Sequence, residues 1–255
     1  MGIIQPNNLS PKFRIPFHAG GGITSLDDLE LELDLLASDK IDGAGLDIAE
    51  LVDRANGYNF VNATGVQRPH YNAVDITADG DGTGKNLSSD AFGAAVASDT
   101  TGMFTMYFHE DDGTGIVTPV FTMYNEAANY VFLYIDDFDK LTLTLNVAGV
   151  PNIIKFDNTN LARSDWNKIQ VGTTGSSYRA YINGIPAAVT SGTDNGLWIG
   201  SLSKAAFQGR LMKNFVNDYG FIRVRHFGYS TNSSLMISNI SNINALAEYQ
   251  EVFVP

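Results

Sequence analysis

From residue 103 to residue 227 the chain is a succession of short apolar-rich runs separated by polar turns. No other feature limits its folding so tightly. Runs at 103–108, 117–124, 129–135, 141–147, 153–156, 166–171, 178–182, 185–189, 197–199 and 221–227 each read as a strand, because alternation at period two sends every second side chain to one face. Leu141-Thr142-Leu143-Thr144-Leu145-Asn146-Val147 alternates without a break. Between Ile182 and Ile185 stand only Asn183 and Gly184, and both accept the positive φ of a type I′ turn, so the flanking runs predict a hairpin. Pro119 has no N–H for a ladder, which predicts an edge strand or a bulge there. Upstream, Leu29, Leu31, Leu33 and Leu35 alternate with acidic residues and predict a further half-buried strand, while 38–102 reads mostly as loop with a few short strands. Many short strands with polar turns and no repeat of 20 to 50 residues predict an all-β fold: an antiparallel two-sheet jelly-roll sandwich.

The flanks read differently. Residues 1–25 carry prolines at 6, 11 and 16 and the run Gly20-Gly21-Gly22, so they predict an extended N-terminal arm ahead of a single domain at 26–255. Ile3, Ile4, Phe13, Ile15 and Phe17 give that arm apolar anchors, and it is expected to assemble onto a partner or a second copy, with folding back onto its own domain as the alternative. Near the other end, Ile240, Ile243, Leu246 and Ala247 follow helical spacing, with Ser241 or Asn244 as N-cap, and predict a short C-terminal helix.

Composition removes several function classes. With no cysteine the chain has no disulfide, thiolate metal site or cysteine nucleophile. Its 28 acidic against 16 basic residues, net −12, disfavour nucleic acid as a partner. The imbalance sits in residues 1–160, with 8 basic and 23 acidic side chains (net −15), against 8 and 5 (net +3) in 161–255, a distribution suited to head-to-tail attraction between copies or simply to two differently solvated faces. Residues 1–8 hold no apolar signal-peptide core and no run is long and apolar enough to span a bilayer, so neither secretion nor a membrane partner is expected.

Three stretches carry a resemblance. They are Asp165-Trp166-Asn167-Lys168-Ile169-Gln170-Val171, then Tyr178-Arg179-Ala180-Tyr181-Ile182-Asn183-Gly184-Ile185-Pro186, then Gly196-Leu197-Trp198-Ile199-Gly200. Together with Gly220-Phe221-Ile222-Arg223-Val224 they resemble the laminin-G-like, concanavalin A-like jelly roll. Leu51-Val52-Asp53-Arg54-Ala55-Asn56-Gly57-Tyr58 and Arg68-Pro69-His70-Tyr71 are similar to the opening of such domains in tailed-phage virion proteins. The resemblance spans about residues 29–250. It departs from the pattern at 203–219, which is longer than the usual link, and at 76–82. It implies a non-enzymatic structural protein of a phage particle (a capsid decoration, head fibre or other surface module) made without a signal peptide and partnered by other virion proteins and copies of itself. The alternative it implies is a carbohydrate-binding module for host surface glycans, whose sugar-binding residues the sequence does not name. Trp166 and Trp198 are expected to fill the space between the sheets, with an exposed sugar-stacking platform as the alternative. The Asn183-Gly184 pair needs only turn geometry.

Candidate chemistry is sparse. Glycosidases on this fold need two carboxylates across the scissile bond, and no E-x-D-x-x-E motif is present. Asp136-Asp137-Phe138-Asp139 and Glu110-Asp111-Asp112-Gly113 read as solvated turns. Asp79-Gly80-Asp81-Gly82-Thr83-Gly84 looks like an oxygen-rich calcium loop, but no third ligand or terminal Glu falls at the needed spacing, so Asp79 and Asp81 are expected to sit in a turn without a cofactor. His18, His70, His109 and His226 are scattered and form no H-x-x-x-H pair. Arg210, Lys213, Arg223 and Arg225 form a basic stripe. Arg223 and Arg225 alternate with Ile222 and Val224, so they are expected to share a polar sheet face, able also to meet an acidic neighbour.

Overall fold

In the computed structural model of the chain, β7 (Gly102–Glu110) and β17 (Phe221–Ser230) pair antiparallel along most of their lengths, and the rest of the front sheet grows from them. The structure describes residues 33–42, 48–62, 69–71, 76–79, 86–110, 117–162, 165–202, 204, 207–213 and 221–231. Beyond β7 lie β12 (Trp166–Thr173), β13 (Tyr178–Ile182) and β14 (Ile185–Ala187). The other edge of β17 is shared: β5 (Ile76–Asp79) pairs with its first half and β1 (Leu33–Asp42) with its second, with β4 (His70–Tyr71) outside β5.

The back sheet runs β6 (Leu87–Ser89), β16 (Gln208–Leu211), β8 (Thr118–Glu126), β9 (Asn129–Ile135), β10 (Leu141–Val147), β11 (Val150–Phe156) and β15 (Val189–Ser191). The short strands β2 (Ile48–Asp53) and β3 (Phe60–Val61) bridge β1 to β6, so the hydrogen-bonded ladder passes from one sheet into the other. On the opposite side only Ala188 separates β14, in the front sheet, from β15, in the back one. Every pairing among the described residues is antiparallel, and the expected two-sheet sandwich is the fold.

Local chemistry explains most elements. Asn183 and Gly184 take φ of 51° and 80°, as the hairpin between β13 and β14 requires. Asn183 does more than turn the chain. Its Oδ1 accepts the Lys168 N–H at 2.9 Å and its Nδ2 donates to the Asn160 carbonyl at 2.8 Å. Pro119 lies in β8 beyond the last residue paired with β16, Phe121, so it pairs with β9 alone, and the register with β9 slips between Pro119 and Phe121; the unpaired side and the bulge accommodate the missing N–H.

Sequence patterning missed three elements. The run 197–199 is no strand: Trp198 leads into a 3-10 turn at Ile199–Leu202, where the Ser201 N–H donates back to the Trp198 carbonyl at 2.9 Å. Strand β16, Gln208–Leu211, falls in the link thought merely long; its four residues offer too little alternation to register, and it is the pairing offered by β6 and β8 that makes it a strand. The six-residue helix α1 (Asp90–Ala95) starts where the Ser89 hydroxyl accepts the Phe92 N–H at 3.2 Å. The 1–25 arm with its five apolar anchors, the C-terminal helix and Asp81 lie outside the described residues. No helix among the described residues is long and apolar enough to cross a membrane.

Aromatic rings fill the space between the sheets. Phe104 from β7 lies 5.0 Å from Phe121, 5.3 Å from Trp198 and 5.3 Å from Tyr229 between ring centroids. Trp198 is fully buried, and its indole N–H donates to the Tyr229 hydroxyl at 3.1 Å, which donates in turn to Asp99 Oδ2 at 2.9 Å. Gly102 opens β7 beneath this chain. A Cβ there would meet the Tyr229 hydroxyl oxygen at 2.5 Å and Trp198 Nε1 at 2.8 Å. Gly102→Ala is therefore expected to destabilise the fold by about 1–3 kcal/mol through overpacking, read as a lower denaturation midpoint with an unchanged m-value.

Candidate functional site

The parity of β7 decides what the front sheet shows outward. Phe104, Met106 and Phe108 belong to the core between the sheets, so Met103, Thr105, Tyr107 and His109 take the outer face. Register extends each across the sheet: Trp166 stands opposite His109 and His109 opposite Arg223, while Lys168, Tyr107 and His226 form the next row, and Gln170, Thr105 and Gly228 the one after.

Arg225 is the residue that breaks this order. The β7–β17 register shifts between Val224 and His226, leaving Arg225 as the extra residue of a bulge. Its guanidinium lies 4.0 Å from the Trp166 ring centroid and 5.6 Å from that of Tyr107. Arg223 stands 5.6 Å from the same indole and 3.0 Å from the His109 imidazole, and the Trp166 and Tyr107 centroids are 4.8 Å apart. Lys168 Nζ lies 5.8 Å from the Tyr107 centroid. Two rings thus hold three cations, each contact contributing on the order of 0.5–2 kcal/mol.

The electrostatics of this face are unusual for so acidic a chain. Among the described residues neither Arg225 nor Lys168 has a carboxylate partner, and the contacts their charged groups make there are with aromatic rings. Arg225 Nε and Gln170 Oε1 are both buried without a hydrogen-bond partner. Gln170 Nε2 approaches Thr105 Oγ1 at 3.4 Å.

Several expectations change here. Trp198 fills the core as expected, but Trp166 does not; it stands on the outer face, half-buried beneath Arg225. Arg223 and Arg225 do share that face, yet they are stacked on a ring rather than spread in solvent. The basic stripe is divided, because Arg210 belongs to β16 of the back sheet, where it lies 4.3 Å over Tyr124, and Lys213 follows that strand. Burial, with Arg210 nearby, holds the Lys213 ammonium below its ordinary pKa. His109 and His226 stand one row apart on adjacent strands of this face, although nothing in their spacing indicated it. No group of three metal-ligating side chains occurs among the described residues, and Asp79 ends β5 just before residues outside them. The loop at Glu110-Asp111-Asp112-Gly113 is likewise largely outside them.

Asp136 is no solvated turn residue. It is buried, accepts the N–H groups of Phe138 at 3.0 Å and Lys140 at 2.8 Å, and pairs with Lys155 Nζ at 2.6 Å. Burial pushes its carboxyl up, but the bonds from Lys155 and the two amides outweigh this and leave it below the usual carboxylate value. The same pairing raises the Lys155 ammonium. These groups close the β9–β10 turn on the back sheet, with the Phe138 side chain 70% exposed at its tip, and their lone pairs are committed to structure.

No family model matches the chain, and no curated protein matches it in sequence. Solved structures do match its fold. A sialidase from Trypanosoma rangeli, in complex with 2,3-difluoro-KDN, is similar at 11% identity and a TM-score of 0.55, over 84% of this chain and 32% of that one. A leech intramolecular trans-sialidase, soaked with 3′-sialyllactose, gives 13% and 0.52 over 67% and 26%. NanB, a sialidase of Streptococcus pneumoniae, gives 15% and 0.50 over 64% and 26%. The chain spans about a quarter to a third of the length of these proteins, and at such identities the likeness is one of fold.

The Asp136 arrangement generates a pH-dependent prediction. A carboxyl lowered in the folded state stabilises the fold above its unfolded pKa and loses that contribution as pH falls through the folded one. Asp136→Asn is expected to cost about 1–3 kcal/mol near neutral pH, and chemical denaturation at descending pH should show the gap to wild type closing in the acid range.

Proposed function

We propose that this chain is a non-catalytic carbohydrate-binding β-sandwich, and that the outer face of its front sheet takes a glycan ending in an acidic sugar of the sialic-acid type. The observation that carries the reading is Arg225, stacked on Trp166 with no carboxylate partner among the described residues, beside Lys168, which has none among them either. Buried or half-buried cations are normally paired with acids, and this sequence has 28 acids from which to choose. A ligand carboxylate fits the vacancy: guanidinium binds carboxylate through two parallel N–H bonds, and the indole and phenol rings offer apolar contact to a sugar ring.

The fold likeness supports the same reading. The matched structures named above are of sialidases, and among them the Trypanosoma rangeli enzyme is held with sialic acid and the leech enzyme with 2,7-anhydro-Neu5Ac. This supports the carbohydrate-binding alternative better than a virion structural role. The reading is non-catalytic because the described side chains of the face supply cations, rings and amides but no carboxylate, whereas glycoside hydrolysis, by a carboxylate pair or by the tyrosine nucleophile of sialidases, needs a general acid or base at the scissile bond.

Calorimetric titration with 3′-sialyllactose and with lactose tests this. The acidic trisaccharide is expected to bind and lactose to bind at least tenfold more weakly, with the difference shrinking as salt is raised. Arg225→Gln should lower affinity for 3′-sialyllactose by about tenfold or more, with a lowered thermal midpoint from its two lost ring contacts but an unchanged circular dichroism spectrum. Equal binding of both sugars, or none of 3′-sialyllactose, would overturn the reading.

A further inference from the structure

Four buried side-chain polar atoms among the described residues lack a hydrogen-bond partner, and two of them, Arg225 Nε and Gln170 Oε1, lie on this one face. They are of opposite kinds. Arg225 Nε is a donor seeking an acceptor, which an acidic sugar supplies. Gln170 Oε1 is an acceptor seeking a donor, which a carboxylate cannot supply.

Gln170 is 98% buried, with a relative exposure of 2%. One end of its amide approaches Thr105 Oγ1 at 3.4 Å and the other is buried without a hydrogen-bond partner. Turning the amide over moves the vacancy to nitrogen without removing it, so the unmet bond does not depend on which end is called oxygen. A buried, unsatisfied polar group is costly and usually has a reason. Apolar side chains of similar size were open to this position, since Tyr181 on β13 and Thr105 on β7 are its cross-strand neighbours.

Position supplies the second half of the argument. Gln170 follows Lys168 by two residues and Trp166 by four on β12, on the same face, so it stands about 13 Å along the strand from the indole. That is farther than one pyranose ring reaches. We infer, building on the glycan-binding reading, that Gln170 marks a second subsite: the face takes an oligosaccharide of at least two rings, with the acidic ring at Trp166 and Arg225 and a neighbouring ring donating a hydroxyl or acetamido N–H to Gln170 Oε1. Gln170 is then a residue that sets specificity for chain length and linkage rather than for charge.

The test compares N-acetylneuraminic acid with 3′-sialyllactose on wild type and on Gln170→Met, with Gln170→Leu as a second replacement of similar size. The wild type is expected to prefer the trisaccharide. Both variants should lose about three- to tenfold affinity for 3′-sialyllactose, bind the monosaccharide as wild type does, and show an unchanged or raised thermal midpoint, because an unmet buried acceptor has been removed. Loss of thermal stability with unchanged trisaccharide affinity would assign the amide to an internal water and overturn the second subsite. Equal wild-type affinity for the two sugars would overturn it as well, while leaving the glycan-binding reading intact. Failure of the wild type to bind either sugar would overturn both.

Discussion

The indole of Trp198 sits in the middle of the sandwich only because its N–H has somewhere to go. Tyr229 of β17 accepts that hydrogen and passes its own to Asp99, so a polar chain crosses an otherwise apolar space fully satisfied. Much is tied to it. The segment before the 3-10 turn is drawn inward instead of pairing as a strand, and Phe104 packs against both partners of the bond. Gly102 must have no side chain, which fixes where β7 begins and hence which of its residues face out. The register of Trp166, Tyr107 and Gln170 on the outer face follows from that starting point.

The outer face in turn depends on one irregularity. Regular alternation along β17 would send Arg223 and Arg225 outward at equal spacing over two rows. The bulge at Arg225 instead concentrates both guanidinium groups on a single indole. Stacking on a ring places a cation without neutralising it, so the positive charge remains available to an incoming anion. In a chain of net charge −12 this makes a local site of the opposite sign, which is a basis for attracting an acidic ligand to one place and repelling it elsewhere.

Period-two patterning and turn chemistry made the strands from 103 to 189 and the hairpin at Asn183-Gly184 legible, because both are encoded within a few neighbouring residues. What escaped notice depends on partners distant in sequence. Strand β16 exists because β6 and β8 leave a gap of its width. Trp198 leaves the strand pattern because a hydroxyl 31 residues away accepts its N–H. At the candidate site the sequence showed that Arg223 and Arg225 share a face, and it offered a platform role for Trp166 as the lesser choice. That the two features are one feature was not readable, since it rests on the β7–β12 and β7–β17 registers together with a bulge that no motif announces. The orphaned amide of Gln170 was beyond sequence in principle, because an unmet hydrogen bond is a property of surroundings and not of residue type.

The single residue between β14 and β15 carries a mechanical consequence. One sheet hands the chain to the other at Ala188, and on the far side β2 and β3 carry the ladder across, so the two sheets are laced together at both margins. A sandwich joined only by side-chain packing can part its layers and leave each hydrogen-bonded sheet intact. Here the layers cannot separate without also breaking backbone ladders at both seams. Amide exchange through the two sheets should therefore be governed by one shared opening event, so that the outer face of the front sheet is as rigid a platform as the core behind it.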